Sequence, residues 1–330
     1  MIELLVGLAI GLLLTGVIIQ VMSAFEVKTR TTTGAADAQT NGGIALYSIG
    51  RELQLAGYPL LPVTNSPLEC TTVTYGSTGI TSISPVSITN GVVASGVSAS
   101  DTVVIRYGSS LMGGVPTQIT AVGPPTSVVS NFGCQAGDIS LVTDGATCAL
   151  STVTAVTGTA VNAMSVTLAD TAATAVSANL ACMGSWNQIT YAVSNGNLVR
   201  NGVPTLTGIV NLQAQYGVSA TANSNQVTQW VDASGGTWAA PTVADRNRIK
   251  AIRLAVVARN EKKELSAVTA ACSSTTIAAP TGLCAWEGTT ASPAPTIDLS
   301  DNDPDWLRYR YRVFETIIPL RNVIWSKDTL

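Results

Sequence analysis

The sequence predicts an α+β protein: one long N-terminal helix, part transmembrane span and part stalk, followed by a β-rich globular head. Three observations lead there. Residues 4–25 carry no charge and follow a lone acid, Glu3. Gly57, Tyr58 and Pro59 close the helical stretch, glycine suiting a cap and proline being unable to continue a helix. Beyond them, short β-rich runs are broken by Gly, Asn, Ser and Pro. The boundary divides the chain into a helix over residues 1–58 and a head over 59–330.

At about 1.5 Å rise per residue, the uncharged run is long enough to cross a hydrocarbon core of roughly 30 Å. No proline interrupts it. A carboxylate at the lip of such a helix is costly unless it lies at the interface or is paired, so Glu3 has a purpose to be found. Gly7 and Gly11 are four apart and Thr15 extends the line, a small-xxx-small face that allows close helix approach. The competing reading is the ordinary abundance of glycine in membrane helices.

Residues 31–43, TTTGAADAQTNGG, are poor helix formers, so packing must hold the helix through them. Leu46, Ile49 and Leu53 then form a narrow apolar stripe, with Arg51 and Glu52 pointing elsewhere. In the head, residues 101–108 alternate Val103, Ile105 and Tyr107 against Thr102, Val104 and Arg106. Residues 139–145 and the V/T/A-rich run 152–169 look like further strands, and Asn195-Gly196 is a hairpin signal within 189–202. Residues 209–218 place Val210, Leu212, Ala214 and Tyr216 on one face. An excursion over 225–247 has Gly235-Gly236 at its tip. Residues 249–260 put Ile252, Leu254, Val256 and Ala258 inward, and Arg253, Val257 and Arg259 outward. The ending alternates Leu307, Tyr309, Tyr311 and Val313 against Arg308, Arg310 and Arg312. That basic face either meets an acidic partner, braces the sheet through tyrosine contacts, or is simply solvated.

Composition narrows the function. The net charge of −3 argues against nucleic-acid binding through a basic surface. Charged residues are only 11% of the chain, which suits a β-rich surface outside the cytoplasm. Histidine is absent, removing Ser-His-Asp and Cys-His catalysis and every His-ligated metal. No phosphate-cradling loop and no catalytic constellation emerges, so the expectation is a non-enzyme without cofactor or metal. Asp301, Asp303 and Asp305 have the spacing of a calcium loop, but Trp306 and Arg312 stand where its glycine and closing glutamate belong, so a solvated turn is favoured.

Six cysteines, Cys70, Cys134, Cys148, Cys182, Cys272 and Cys284, contain no CxxC pair. Beside a membrane anchor they suggest disulfides in an oxidising compartment. Pairing near neighbours first joins Cys134 to Cys148 and Cys272 to Cys284, leaving Cys70 for Cys182.

The first residues, MIELL, resemble the N-terminal methylation segment of type IV pilins from its third mature position onward. The ending RYRVFETIIPLRNVIW, with NLQAQYGV and IRLAVVARN upstream, is similar to the PilW family of minor pilins. The resemblance implies a pilin-like fold and an assembly role in a type IV pilus. Such a protein waits in the inner membrane with a periplasmic head, then joins other minor pilins and the major pilin to prime filament growth at the tip. A large tip adhesin and a prepilin peptidase are the further partners it implies. It also implies that Glu3 carries the assembly chemistry and that the apolar face with Gly7 and Gly11 supplies helix adhesion. Two other readings are a pseudopilin of a type II secretion system and a membrane-anchored extracytoplasmic enzyme or binding module. Lys28 and Arg30, just beyond the span, would by the positive-inside rule hold the head in the cytoplasm, against the cysteines. A basic leader ending in glycine, two residues before Met1, would resolve that conflict.

Overall fold

A single helix, α1 (Ile2–Leu55), forms the axis of the protein. The structure is a computed structural model that describes residues 2–60, 70–91, 99–159, 163–170 and 178–324. Met1, Trp325 and residues 160–162 of the V/T/A-rich run lie outside the described residues. At about 1.5 Å per residue, α1 is about 80 Å long. Its end is tied off by several groups at once. Gly57 turns the chain at φ 78° and donates its N–H to the Arg106 carbonyl at 2.9 Å. Asn322 Nδ2 donates to the carbonyls of Gln54 and Ala56 at 3.3 and 3.1 Å, satisfying acceptors that a helix end leaves without partners.

The second half of α1 packs on the head through small side chains. Ala38, Gly42, Ala45, Ile49 and Leu53 are all buried on one face, a broader stripe than Leu46, Ile49 and Leu53 alone. A Cβ on Gly34 would collide with the side chain of Asn260, and one on Gly42 with the ring of Phe314. Two of the residues that make 31–43 a weak helix former, Gly34 and Gly42, are therefore those that let the head approach. Gly42→Val forces bulk against Phe314 and is expected to destabilise the head by about 1–3 kcal/mol. Gly43→Ala adds a Cβ with nothing within 4 Å and should instead stabilise, by up to about 1 kcal/mol of helix propensity. Thermal unfolding of the two variants checks the contrast.

Strands cluster into three sheets among the described residues. The first holds β1 (Thr72–Thr74) and, after it in the chain, six strands described below. The second begins with β2 (Val86–Thr89) and β3 (Thr102–Gly108). After β3 the chain makes β4 (Thr117–Ala121), β5 (Thr126–Val128), β6 (Ile139–Thr143), β7 (Thr147–Thr157), β8 (Ser165–Leu168) and β9 (Asn179–Cys182). It then returns as β10 (Trp186–Ser194), β11 (Asn197–Arg200) and β12 (Val203–Thr207) to complete the five-stranded order β12-β11-β10-β3-β2. Asn195-Gly196 and Asn201-Gly202, all at positive φ, make the two tight turns of this meander. A four-stranded sheet, order β14-β13-β15-β16, follows from β13 (Ile209–Ser219), β14 (Val227–Val231), β15 (Ile249–Arg259) and β16 (Tyr311–Pro319). The excursion over 225–247 thus starts as a strand before two short helices, Gly235–Trp238 and Val243–Arg246.

β4 to β9 are an insertion. The order β1-β7-β6-β9-β4-β5-β8 closes because β8 also pairs with the second half of β7, giving a six-stranded barrel with β1 added in parallel. Closure removes free edges. The barrel has its own core, including Ile119, Val142, Val153, Val166, Leu168 and Leu180. Its entry and exit lie side by side, since Gly108 pairs with Trp186. Nothing in the sequence pattern separated this barrel from the rest of the head.

The disulfides follow that topology. Cys70 bonds Cys148, Cys134 bonds Cys182, and Cys272 bonds Cys284, with Cα separations of 5.7, 5.2 and 4.8 Å. The expected pairs Cys134–Cys148 and Cys70–Cys182 are thus corrected. Cys148 pairs with Thr143 beside the β6–β7 turn, whereas Cys134 precedes β6 at the opposite end of that hairpin. β9 aligns Cys182 with Ser140 near that open end, and parallel β1 brings Cys70 to the start of β7.

The two central strands of the last sheet, β13 and β15, are buried on both faces. Leu212, Ala214, Tyr216, Ile252, Leu254 and Val256 join α1 in the main core. Val257, expected outward, is instead covered by Leu283, Trp286, Ile297 and Trp306 from the long loop before β16. Val210 lies on that second side as well, because a bulge between Ile209 and Asn211 exchanges its face with Ile209. Arg253 is held there between Trp286 (4.7 Å) and Trp230 (6.0 Å). The final strand starts at Tyr311; Trp306–Arg308 form a 3-10 turn rather than an extended segment.

Candidate functional site

The helix carries two ridges of small residues, and they differ in what fills them. Gly34, Ala38 and Gly42 are filled by the head. At Gly7, Gly11 and Gly16 an added Cβ would meet nothing within 4 Å. Every described side chain from Ile2 to Ser23 is exposed, and this stretch is apolar and long enough to cross a membrane. Thr15 donates its hydroxyl to the Gly11 carbonyl at 2.7 Å, so its polar group is satisfied inside its own helix. At about 100° of rotation per residue, Gly7, Gly11 and Thr15 point roughly opposite to Gly34, Ala38 and Gly42. The open ridge therefore faces away from the head. Glu3 lies exposed in the first turn of the same helix. The structure brings Glu3, Gly7 and Gly11 onto one helix but gives none of them a tertiary partner among the described residues.

Glu52, read from sequence only as pointing off the apolar stripe, locks the stalk to the five-stranded sheet. Its Oε1 accepts from Arg200 Nη2 at 2.7 Å and Nε at 3.2 Å. The carboxylate beside it raises the Arg200 pKa, and burial followed by Glu52 pushes the Tyr191 hydroxyl up to about 12. A groove of about 500 Å³ runs here between α1 and the sheet, lined by Ile44, Tyr47, Leu55, Tyr107 and Leu206. Elsewhere Asp101 is buried, accepting the N–H groups of Gly91 (2.9 Å) and Ala214 (2.8 Å). Burial pushes its pKa up to about 7 against the pull of those two donors. It fastens the start of β3 to β13, a structural use.

Four of the charged candidates near the C-terminus, Asp303, Asp305, Arg308 and Arg310, are consumed internally. Asp303 pairs with Arg259 at 3.3 Å, and Asp305 with Lys263 and Arg308. No group of three or more metal-binding side chains occurs among the described residues. Arg308 donates to the Glu264 carbonyl at 2.8 Å and Arg310 to its carboxylate at 3.1 Å. The tyrosine stacking sits with Arg259 over Tyr309 at 4.6 Å, one strand away from the arginines expected to supply it.

An exposed, span-length apolar helix thus continues into a packed stalk that carries a β-rich head. Residues 168–322 of the head match the model of the PilW family, described as type IV pilus-assembly protein W. Among solved structures, a type IV-like pilin from Thermus thermophilus aligns over 86% of this chain and 97% of that chain, at 12% identity and a TM-score of 0.37. No curated protein matches the sequence.

Proposed function

We propose that this chain is a minor pilin of a type IV pilus, a structural and non-catalytic subunit that primes filament growth together with other minor pilins at the tip. The observation that carries the reading is the pairing of a PilW-type head sequence over residues 168–322 with an exposed apolar helix. Residues 1–58 would serve first as inner-membrane anchor and then as filament core, and residues 59–330 as a periplasmic head that ends at the cell surface. Three disulfides among the described residues favour an oxidising location for that head. Glu3 would hold the axial register of the docked helix, with Gly7 and Gly11 letting a neighbouring helix approach. Its partners would be other minor pilins, the major pilin and a large tip adhesin, with a prepilin peptidase acting at a leader.

Deletion of the gene tests this. Surface filaments counted by electron microscopy should fall sharply and return on complementation, while type II secretion proceeds normally. Normal filament numbers with failed secretion would transfer the protein to the pseudopilins.

A further inference from the structure

The inserted barrel exposes several large apolar side chains near its entry. Leu111 is 90% exposed, Phe132 72%, Val115 63% and Val129 59%. They are drawn from two adjoining segments. Thr117 Oγ1 accepts the Ser130 N–H at 2.9 Å, and the Gln118 carbonyl accepts the Val129 N–H at 3.0 Å. Met112, 40% exposed, lies against Gly133, so the turn bearing Leu111 abuts the residue after Phe132. The result is an apolar patch made by two adjoining segments of the barrel. Tyr58 donates its hydroxyl to the Ser110 carbonyl at 2.7 Å, and Gly114 packs on Pro59. These contacts set the patch at the end of α1 farthest from the span.

Its electrostatics are one-sided. Residues 109–185 contain three acids, Asp138, Asp144 and Asp170, and no lysine or arginine. The remainder of the chain is balanced, with 17 acidic residues against 17 basic. The whole net charge of −3 therefore resides on the barrel, and Asp138 lies in the same loop as Phe132, holding the Gln135 N–H at 2.8 Å.

We propose that this patch docks the head of a different pilus subunit, one that presents apolar side chains ringed by Lys and Arg. The choice of partner rests on the pilus reading above. Charge complementarity selects a basic rim and disfavours a second copy of this chain, whose own barrel is equally acidic. Lipid is disfavoured too: 109–185 lacks tryptophan, tyrosine and any cation, the groups that seat a protein at a membrane surface. Exposed apolar area of this kind, free of charge at its centre, is the composition of a protein interface core.

The test places the photo-crosslinking residue benzoylphenylalanine at position 132 of the full-length chain in piliated cells, with position 203 as a control. Val203 is 62% exposed but lies on the five-stranded sheet. Irradiation at 132 should give an adduct with another pilus subunit, its crosslinked peptide holding apolar residues beside Lys or Arg, and none at 203. Leu111→Ser with Val115→Ser should lower that adduct about tenfold or more. No adduct at 132 in a chain present at wild-type level, or adducts only with copies of itself, lipid or a protein outside the pilus, would overturn the proposal. Filament counts in the deletion strain judge the pilus reading separately.

Discussion

Glu3→Ala is expected to leave the protein inserted in the inner membrane with all three disulfides formed, while reducing its amount in sheared filaments by about a hundredfold or more. In the membrane, a carboxylate in the first turn of the span can reach interfacial water and headgroups. In a filament, helices pack and water leaves, so an isolated carboxylate is strongly disfavoured. In the proposed filament, the α-amino group that cleavage of a leader would free on a neighbouring subunit is the partner that would neutralise it. Removing one member of a buried pair typically costs about 3–5 kcal/mol. The head is spared because Glu3 is exposed and the head packs only on the second half of α1. Quantitative immunoblotting of membrane and sheared fractions reads both arms. Equal recovery of mutant and wild type from filaments would reduce Glu3 to an interface marker.

Replacing Cys70 and Cys148 together with serine is the second large effect. That bond closes a separation of 78 residues, and the chain-entropy relation assigns it about 4–5 kcal/mol. It is also the covalent tie from the chain just after α1 to the barrel, since β1 adds only three residues to β7. Loss of the tie should let the barrel open before the rest of the head. Limited proteolysis should then cut first within 109–185, and the thermal midpoint should fall by more than in the Cys272→Ser, Cys284→Ser variant. There the separation is 12 and the same relation assigns about 3 kcal/mol. Equal midpoints for the two variants would show that the barrel does not depend on the tie.

How much of this was legible in the sequence depends on the range of the interaction. The helix was read almost to its last turn because charge, glycine and proline are local signals: Gly57 does turn the chain at positive φ. Strand faces in 249–260 were half right. Alternation placed Ile252, Leu254 and Val256 correctly, but nothing local reveals that Trp286 and Trp306, far along the chain, cover Val257. The disulfides show the same limit, since proximity in sequence gives way to parallel β1 and to the crossing of β9 beside β6. The barrel was missed because all of its strands but β7 are short and its pattern is like that of the neighbouring strands. Only the Gly108–Trp186 pairing exposes it as an insertion. Most of it, up to residue 167, also lies before the PilW match. In the candidate site, Glu3, Gly7 and Gly11 stood out as departures from an apolar run. Glu52 gave no such signal, because its partner Arg200 is 148 residues away.

The central claim is that α1 carries this chain into a filament through its free half. Mass spectrometry of sheared, purified filaments tests it most directly, using wild-type cells and the deletion strain complemented with Glu3→Ala. The account predicts peptides from both the stalk and the head of this chain in wild-type filaments, and their loss in the variant. Filaments of normal abundance that contain none of this chain, with all of it retained in the membrane pellet, would contradict it.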